Sequence, residues 1–224
     1  VRVSNCDIDA GDDCLTLKSG IDEDGRRVGR PTEYVTITNC TFRRGHGAVV
    51  CGSEIAGGIR HIAISNCTFV GTDRGIRIKA RRGRGGYVKD IRFSTIIMDT
   101  VFCPLVINGF YHCGAPKDSP AFDRRPQPVD ETTPLFQRIH LDNITASNCR
   151  NALAFIDGLP EAPVEDLTMH NVHFSAGNSP DEKPHQAAMS KWCTGLVGGG
   201  AAIRNVRNGL FSIMLTSILA NFGP

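Results

Sequence analysis

The 224-residue sequence predicts an all-β fold, a parallel β-helix in a single domain. Three observations point there. A strand phrase returns along the chain: VRVSNCDI from Val1, YVTITNCTF from Tyr34 and HIAISNCTF from His61, with weaker copies DIRFSTIIM from Asp90, RIHLDNITA from Arg138 and DLTMHNVHF from Asp166. Aligned on Asn5, Asn39, Asn66, Thr95, Asn143 and Asn171, the copies lie 34, 27, 29, 48 and 28 residues apart, so the unit is just under thirty residues. A period of that size marks a solenoid, propeller or array. Each phrase alternates apolar and polar residues, as a half-buried strand does, and no helical periodicity shows up to residue 174.

Each element follows from this unit. The phrase is the first strand, and its Asn sits at the turn that ends it. A second short strand lies between phrases: CLTL, AVV, GIRI, PLVI and ALAFI. A propeller blade would need four strands and about 40 residues, and a leucine-rich repeat would show its own leucine pattern, so stacked coils fit best. In such a stack the repeated Asn side chains are about 4.8 Å apart and are expected to bond up the column. Cys6, Cys40, Cys67 and Cys149 follow the Asn or its equivalent, and are expected as a column of small thiols, not disulfides. Residues 21–32, the five-proline stretch 114–134 and the Gly/Pro/Ser-rich stretch 175–198 break the period. They are expected to project from the coils of one domain spanning 1–224. The closing AAIRNVRNGLFSIMLTSI predicts one more coil, with a C-terminal helix as the competing reading. Val1 opens in mid-strand pattern, which reads as a β-helix incomplete at its start.

Composition narrows the function. A formal charge of +2 creates no global field for nucleic acid or membrane. The apolar run Gly209–Ala220 is too short to span a bilayer. Nine cysteines include no Cys-x-x-Cys pair, which argues against a zinc ribbon or thioredoxin-like site. The arginine-glycine stretch from Ala80 occurs once, between strands, and is set aside as an RNA-binding segment.

Three successive coils carry polar groups near the start of the second strand. Asp12 and Asp13 lie in GDDC, His46 in GHG, and Arg77 and Lys79 in GIRIK. Asp12 and His46 each stand seven residues after their Asn. With Leu15/Leu17, Ala48/Val50 and Ile76/Ile78 read as inward, the two-residue period puts Arg77 and Lys79 on the outer face. Any one of these groups alone reads as a turn, a loop tip or a solvated strand face. On one stripe, two acids beside two cations suit hydrolysis of a glycosidic bond in an acidic sugar polymer. The acids would handle protons; Arg77 and Lys79 would hold substrate carboxylates.

GDDC, GHG and RIK, in that order and spacing, resemble the polygalacturonase family of pectin hydrolases, glycoside hydrolase family 28. The resemblance runs from residue 1 to about 174, with a weaker echo to about 216. SEIAGGIRHI and ARRGRGGYVKDI look like its bacterial members. It implies a right-handed parallel β-helix and inverting hydrolysis of α-1,4-linked galacturonate without cofactor or metal. It also implies a secreted or periplasmic monomer whose partner is galacturonan. By the same resemblance Asp12 is the general acid, Asp13 a carboxylate positioning water, His46 a support for the acid, Arg77 and Lys79 carboxylate binders, and Tyr111 a wall of the sugar site. One departure stands out. The family's further aspartate, in an Asn-Thr-Asp motif some twenty residues before the paired acids, would fall ahead of Val1. A chain without it is expected to hydrolyse weakly, or to be a non-catalytic galacturonan-binding or degenerate β-helix. A structural β-helix would leave Arg77 and Lys79 unexplained, and a pectate lyase would want an acidic calcium cluster.

Overall fold

In the computed structural model of the protein, residues 1–177, 188–193, 196 and 199–216 are described. The chain winds as a right-handed parallel β-helix. One sheet stacks Arg2–Ser4, Thr32–Thr38, Ile59–Val70, Tyr87–Asp99, Leu135–Cys149 and Val164–Ala176, with short strands such as Asp7–Asp9 and Thr41–Arg43 continuing the first coils. The second sheet stacks Leu15–Leu17, Val49–Gly52, Arg74–Lys79, Cys103–Asn108, Ala154–Asp157 and Ala201–Arg204. Strands pair in parallel with the coil before and the coil after.

The interior is a set of side-chain columns. Ile37, Ile64, Phe93, Leu141 and Met169 occupy one register position on successive coils, and all are buried. Phe42 and Phe69 form another step, edge to face at 5.5 Å. Each such side chain contributes roughly 1.5–3 kcal/mol by leaving water. The polar residues between them face solvent, as the alternation requires.

The repeated Asn has a different reason from the one its spacing suggests. Asn5, Asn39, Asn66, Thr95, Asn143 and Asn171 all have φ between 50° and 56°. They turn the chain through the left-handed region, which a short polar side chain tolerates better than most. Most of these side chains are exposed. One amide-to-amide rung occurs among the described residues, Asn171 Nδ2 donating to Asn143 Oδ1 at 2.6 Å. The thiol column is shorter than expected: Cys6, Cys40 and Cys67 stack on the first coils, the same register position continues as Ile96 and Ile144, and Cys149 pairs instead with Ala176; none of these thiols is in a disulfide.

Two further expectations change. In the second sheet Leu15 pairs with Val49 and Leu17 with Cys51, and these meet Ile76 and Ile78. Val49 and Cys51, not Ala48 and Val50, are therefore the inward strand pair, a slip of one residue. Val50 lies in the outer row between Thr16 and Arg77. Residues 21–32 contain a helix, Asp22–Val28, with Asp22, Glu23 and Asp24 in its first turn and Arg26 and Arg27 in its last. That charge order suits the helix dipole. Gly29, at φ 61°, closes the helix with its N–H on Gly25 O, as a left-handed C-cap does. Stretch 114–134 leaves the coils and carries one 3₁₀ turn, Pro120–Phe122. Of 175–198, residues 178–187, 194–195 and 197–198 lie outside the described residues. The closing segment is a coil: Ala201–Arg204 pairs with Ala154–Asp157, and Leu210–Thr216 with the strand Val164–Ala176. Residues 217–224 lie outside the described residues.

Candidate active site

The outer face of the second sheet floors a cavity of about 750 Å³, and Asp12, Asp13, His46, Arg77, Lys79 and Tyr111 all line it. The structure thus brings together all six residues singled out in the sequence. The GHG motif explains how. The His46 N–H donates to Asp12 O at 3.1 Å and the Cys14 N–H to Gly47 O at 2.8 Å, so GHG lies directly against GDDC. A Cβ on Gly45 would stand 2.5 Å from both Asp12 O and Cys14 Sγ. A Cβ on Gly47 would meet Val50 Cγ2 at 2.5 Å and Asp13 Oδ1 at 3.1 Å. The two glycines let adjacent coils close up while His46, between them, points its ring outward.

The two acids occupy different environments. Asp12 is exposed, and its Oδ1 accepts the Asp13 N–H at 2.7 Å. Asp13 faces two cations that come from a coil two turns away. Arg77 Nη1 donates to its Oδ1 at 3.0 Å, and Lys79 Nζ to its Oδ2 at 2.8 Å. The side chains of Arg77, Lys79 and Asp13 are 2, 8 and 9% exposed. The cations are therefore not a solvated outer stripe but a buried pair neutralised by one carboxylate. Arg77 Nη2 also points at Met189 Sδ, 3.0 Å away, while Arg77 Nε is buried without a hydrogen-bond partner among the described residues. Burial, and then the neighbouring Arg77, push the Lys79 ammonium below the ordinary lysine range against the pull of Asp13. The Tyr111 ring lies under both cations, 5.7 Å from Arg77 Cζ and 5.1 Å from Lys79 Nζ. Burial pushes its phenol up, so the hydroxyl stays protonated.

Asp73 was not among the expected site residues, yet it lines the cavity and its Oδ2 is 2.7 Å from His46 Nδ1. Its signal was present: Asp73 stands seven residues after Asn66, where Asp12 and His46 stand after Asn5 and Asn39. The arginines of the ARRGRGG stretch act as clamps. Arg82 is buried against Glu161 and three backbone carbonyls. Arg84 is buried between Asp22 and Glu54. Arg81 donates to the carbonyls of Cys113 and Gly114. They pin the helix Asp22–Val28 and the 114–134 excursion beside the cavity.

Residues 1–193 match the family described as Glycosyl hydrolases family 28. The chain belongs to glycosyl hydrolase family 28. It is 34% identical over 174 residues to a Vitis vinifera protein described as a "Probable polygalacturonase", spanning 76% of this chain and 33% of that one. It is 27% identical over 177 residues to an exopolygalacturonase of Rhizopus delemar, spanning 76% of this chain and 42% of that one. Among solved structures, the hyperthermoactive exopolygalacturonase of Thermotoga maritima superposes with a TM-score of 0.68 at 27% identity, covering 79% of this chain and 37% of that one. The family 28 exopolygalacturonase of Yersinia enterocolitica shares the fold, with a TM-score of 0.71 at 22% identity over 96% of this chain and 34% of that one. This family 28 chain thus spans about a third to two fifths of the length of these relatives.

Proposed function

We propose that the chain hydrolyses α-1,4-galacturonosidic bonds in polygalacturonate by a single displacement that inverts the sugar carbon. The observation that carries this reading is the pair of unlike carboxylates in one cavity: Asp12 open to solvent, Asp13 held between buried Arg77 and Lys79. Asp12, protonated, gives its proton to the bridging oxygen as the bond from that oxygen to the sugar carbon breaks. A water attacks the carbon from the opposite face and passes a proton to the ionised Asp13. Solvent then returns a proton to Asp12 and removes one from Asp13. In inverting sites the acid and base stand roughly 6.5–9.5 Å apart to admit that water.

The cations give the site its preference for an acidic sugar. Arg77 Nε–H, buried and without a partner among the described residues, represents a desolvation cost of roughly 1–3 kcal/mol that a ligand oxygen would recover. Lys79 keeps further N–H donors beyond the one given to Asp13. A uronate carboxylate beside this pair would be shared with Asp13, with Tyr111 as the floor.

The test is binding and turnover on polygalacturonate. The chain should bind it more tightly than its methyl-esterified form and should release reducing ends slowly, with inverted anomeric configuration by proton NMR at early times. Asp12→Asn should lower that release by about 10²–10⁴-fold, the usual contribution of a positioned acid. Equal affinity for acidic and esterified polymer, or unchanged release by Asp12→Asn, would overturn the reading.

A further inference from the structure

The turn position seven residues after each aligned Asn builds a column across the coils. Its successive members are Asp12, His46, Asp73, Phe102 and, after the longer interval, Arg150. The backbone ties them together: His46 N–H donates to Asp12 O, and Asp73 N–H to Gly45 O at 2.9 Å. Asp73 Oδ2 meets His46 Nδ1 at 2.7 Å and Arg74 Nη1 at 3.5 Å, and its Oδ1 faces Arg150 Nη2 at 3.8 Å. Arg150 lies over the Phe102 ring, 5.6 Å from its centroid, and so reaches past that rung to Asp73. Arg74 is itself buried.

From this column we infer that Asp73 is a positioning residue for the reaction: it fixes the His46 ring and its tautomer, and through His46 it orders the acid Asp12. The inference rests on the hydrolytic reading above. An ionised carboxylate can only accept, so the imidazole nitrogen facing it carries the proton. Nδ1–H is committed to Asp73, and Nε2 is left as the ring atom available to the cleft. Arg74 and Arg150 hold Asp73 in place, and the column sets His46 on the coil adjoining Asp12. The same logic, a carboxylate holding an imidazole in one tautomer, operates in hydrolytic triads on unrelated folds.

Two measurements test this. The first needs no turnover: nitrogen-15 spectra of histidine-labelled chain, with His46 assigned through His46→Ala, read the neutral tautomer directly. His46 should be protonated at Nδ1, and Asp73→Ala should move it toward the Nε2–H form that free imidazole side chains favour. An Nε2–H ring in the unsubstituted chain, or no change in Asp73→Ala, would overturn the inference. The second is a double-mutant cycle on reducing-end release. Asp73→Ala and Asp73→Asn should each lower kcat by roughly tenfold or more with KM little changed, as small misplacements of catalytic groups do. In the His46→Ala background the same substitutions should cost nothing further. Losses that multiply instead of merging would show that Asp73 acts on the fold and not through His46. If the unsubstituted chain neither binds nor cleaves polygalacturonate, the hydrolytic reading fails while the tautomer result still stands or falls on its own.

Discussion

Replacing Asp13 by Asn should cost far more stability than the same change at Asp12, although the residues are adjacent and the substitution is isosteric. Asp13 is the counter-charge for two buried cations at 2.8 and 3.0 Å. At an effective dielectric constant of about 20, unit charges 3–4 Å apart attract by about 4–6 kcal/mol. The variant keeps the repulsion between Arg77 and Lys79 and the cost of burying both. One of its amide positions also presents N–H groups to a cation. Breaking a buried pair by removing one partner costs about 3–5 kcal/mol, and that range is expected here. Asp12, exposed, should change stability by about 0.5 kcal/mol or less. Guanidinium denaturation followed by far-ultraviolet circular dichroism measures both. The pH dependence has a definite sign. Lys79 in the folded chain already titrates below the ordinary 10.5, and losing Asp13 lowers it further. Between that folded value and 10.5 the unfolded chain binds more protons, so stability rises with pH across the window. The deficit of Asp13→Asn should therefore shrink as pH is raised from 7 toward 10. A deficit no larger than that of Asp12→Asn, or one that grows with pH, would refute the account of Asp13 as a buried counter-ion.

Gly45→Ala should destabilise by about 1–3 kcal/mol, the usual cost of overpacking, because its Cβ would press on Asp12 O and Cys14 Sγ at 2.5 Å; chemical denaturation reads this. Arg77→Ala should weaken polygalacturonate binding more than Arg84→Ala, while both lower stability, since Arg77 is buried against Asp13 and Arg84 against Asp22 and Glu54. Titration of binding and unfolding of the same two variants separates these effects. Native-state thiol labelling should modify exposed Cys113 first and leave Cys51 and Cys149 unreacted, because burial pushes both thiols up to about 12.

The repeat, read along the chain, determined the coil, the strand order and the existence of the polar stripe. Parallel stacking turns a separation of about thirty residues into one interstrand spacing, so periodic positions become neighbours. The seven-residue offset from Asn placed Asp12 and His46 together and, carried one coil further, reaches Asp73. What the pattern did not contain is the contact made by a long side chain. Arg77 and Lys79 could be assigned to the outer face, but their reach back across a coil to Asp13 depends on Gly47 leaving room beside Val50. The slip from Ala48/Val50 to Val49/Cys51 has a similar origin. Four consecutive buried apolar residues, Ala48 to Cys51, offer no alternation to read, and only pairing with Leu15–Leu17 and Arg74–Lys79 selects the inward pair. The arginines at 81, 82 and 84 stand together in sequence with no acid beside them. The acids that pair with Arg82 and Arg84, Glu161, Asp22 and Glu54, come from distant segments, and only the tertiary structure brings those segments to the cavity wall.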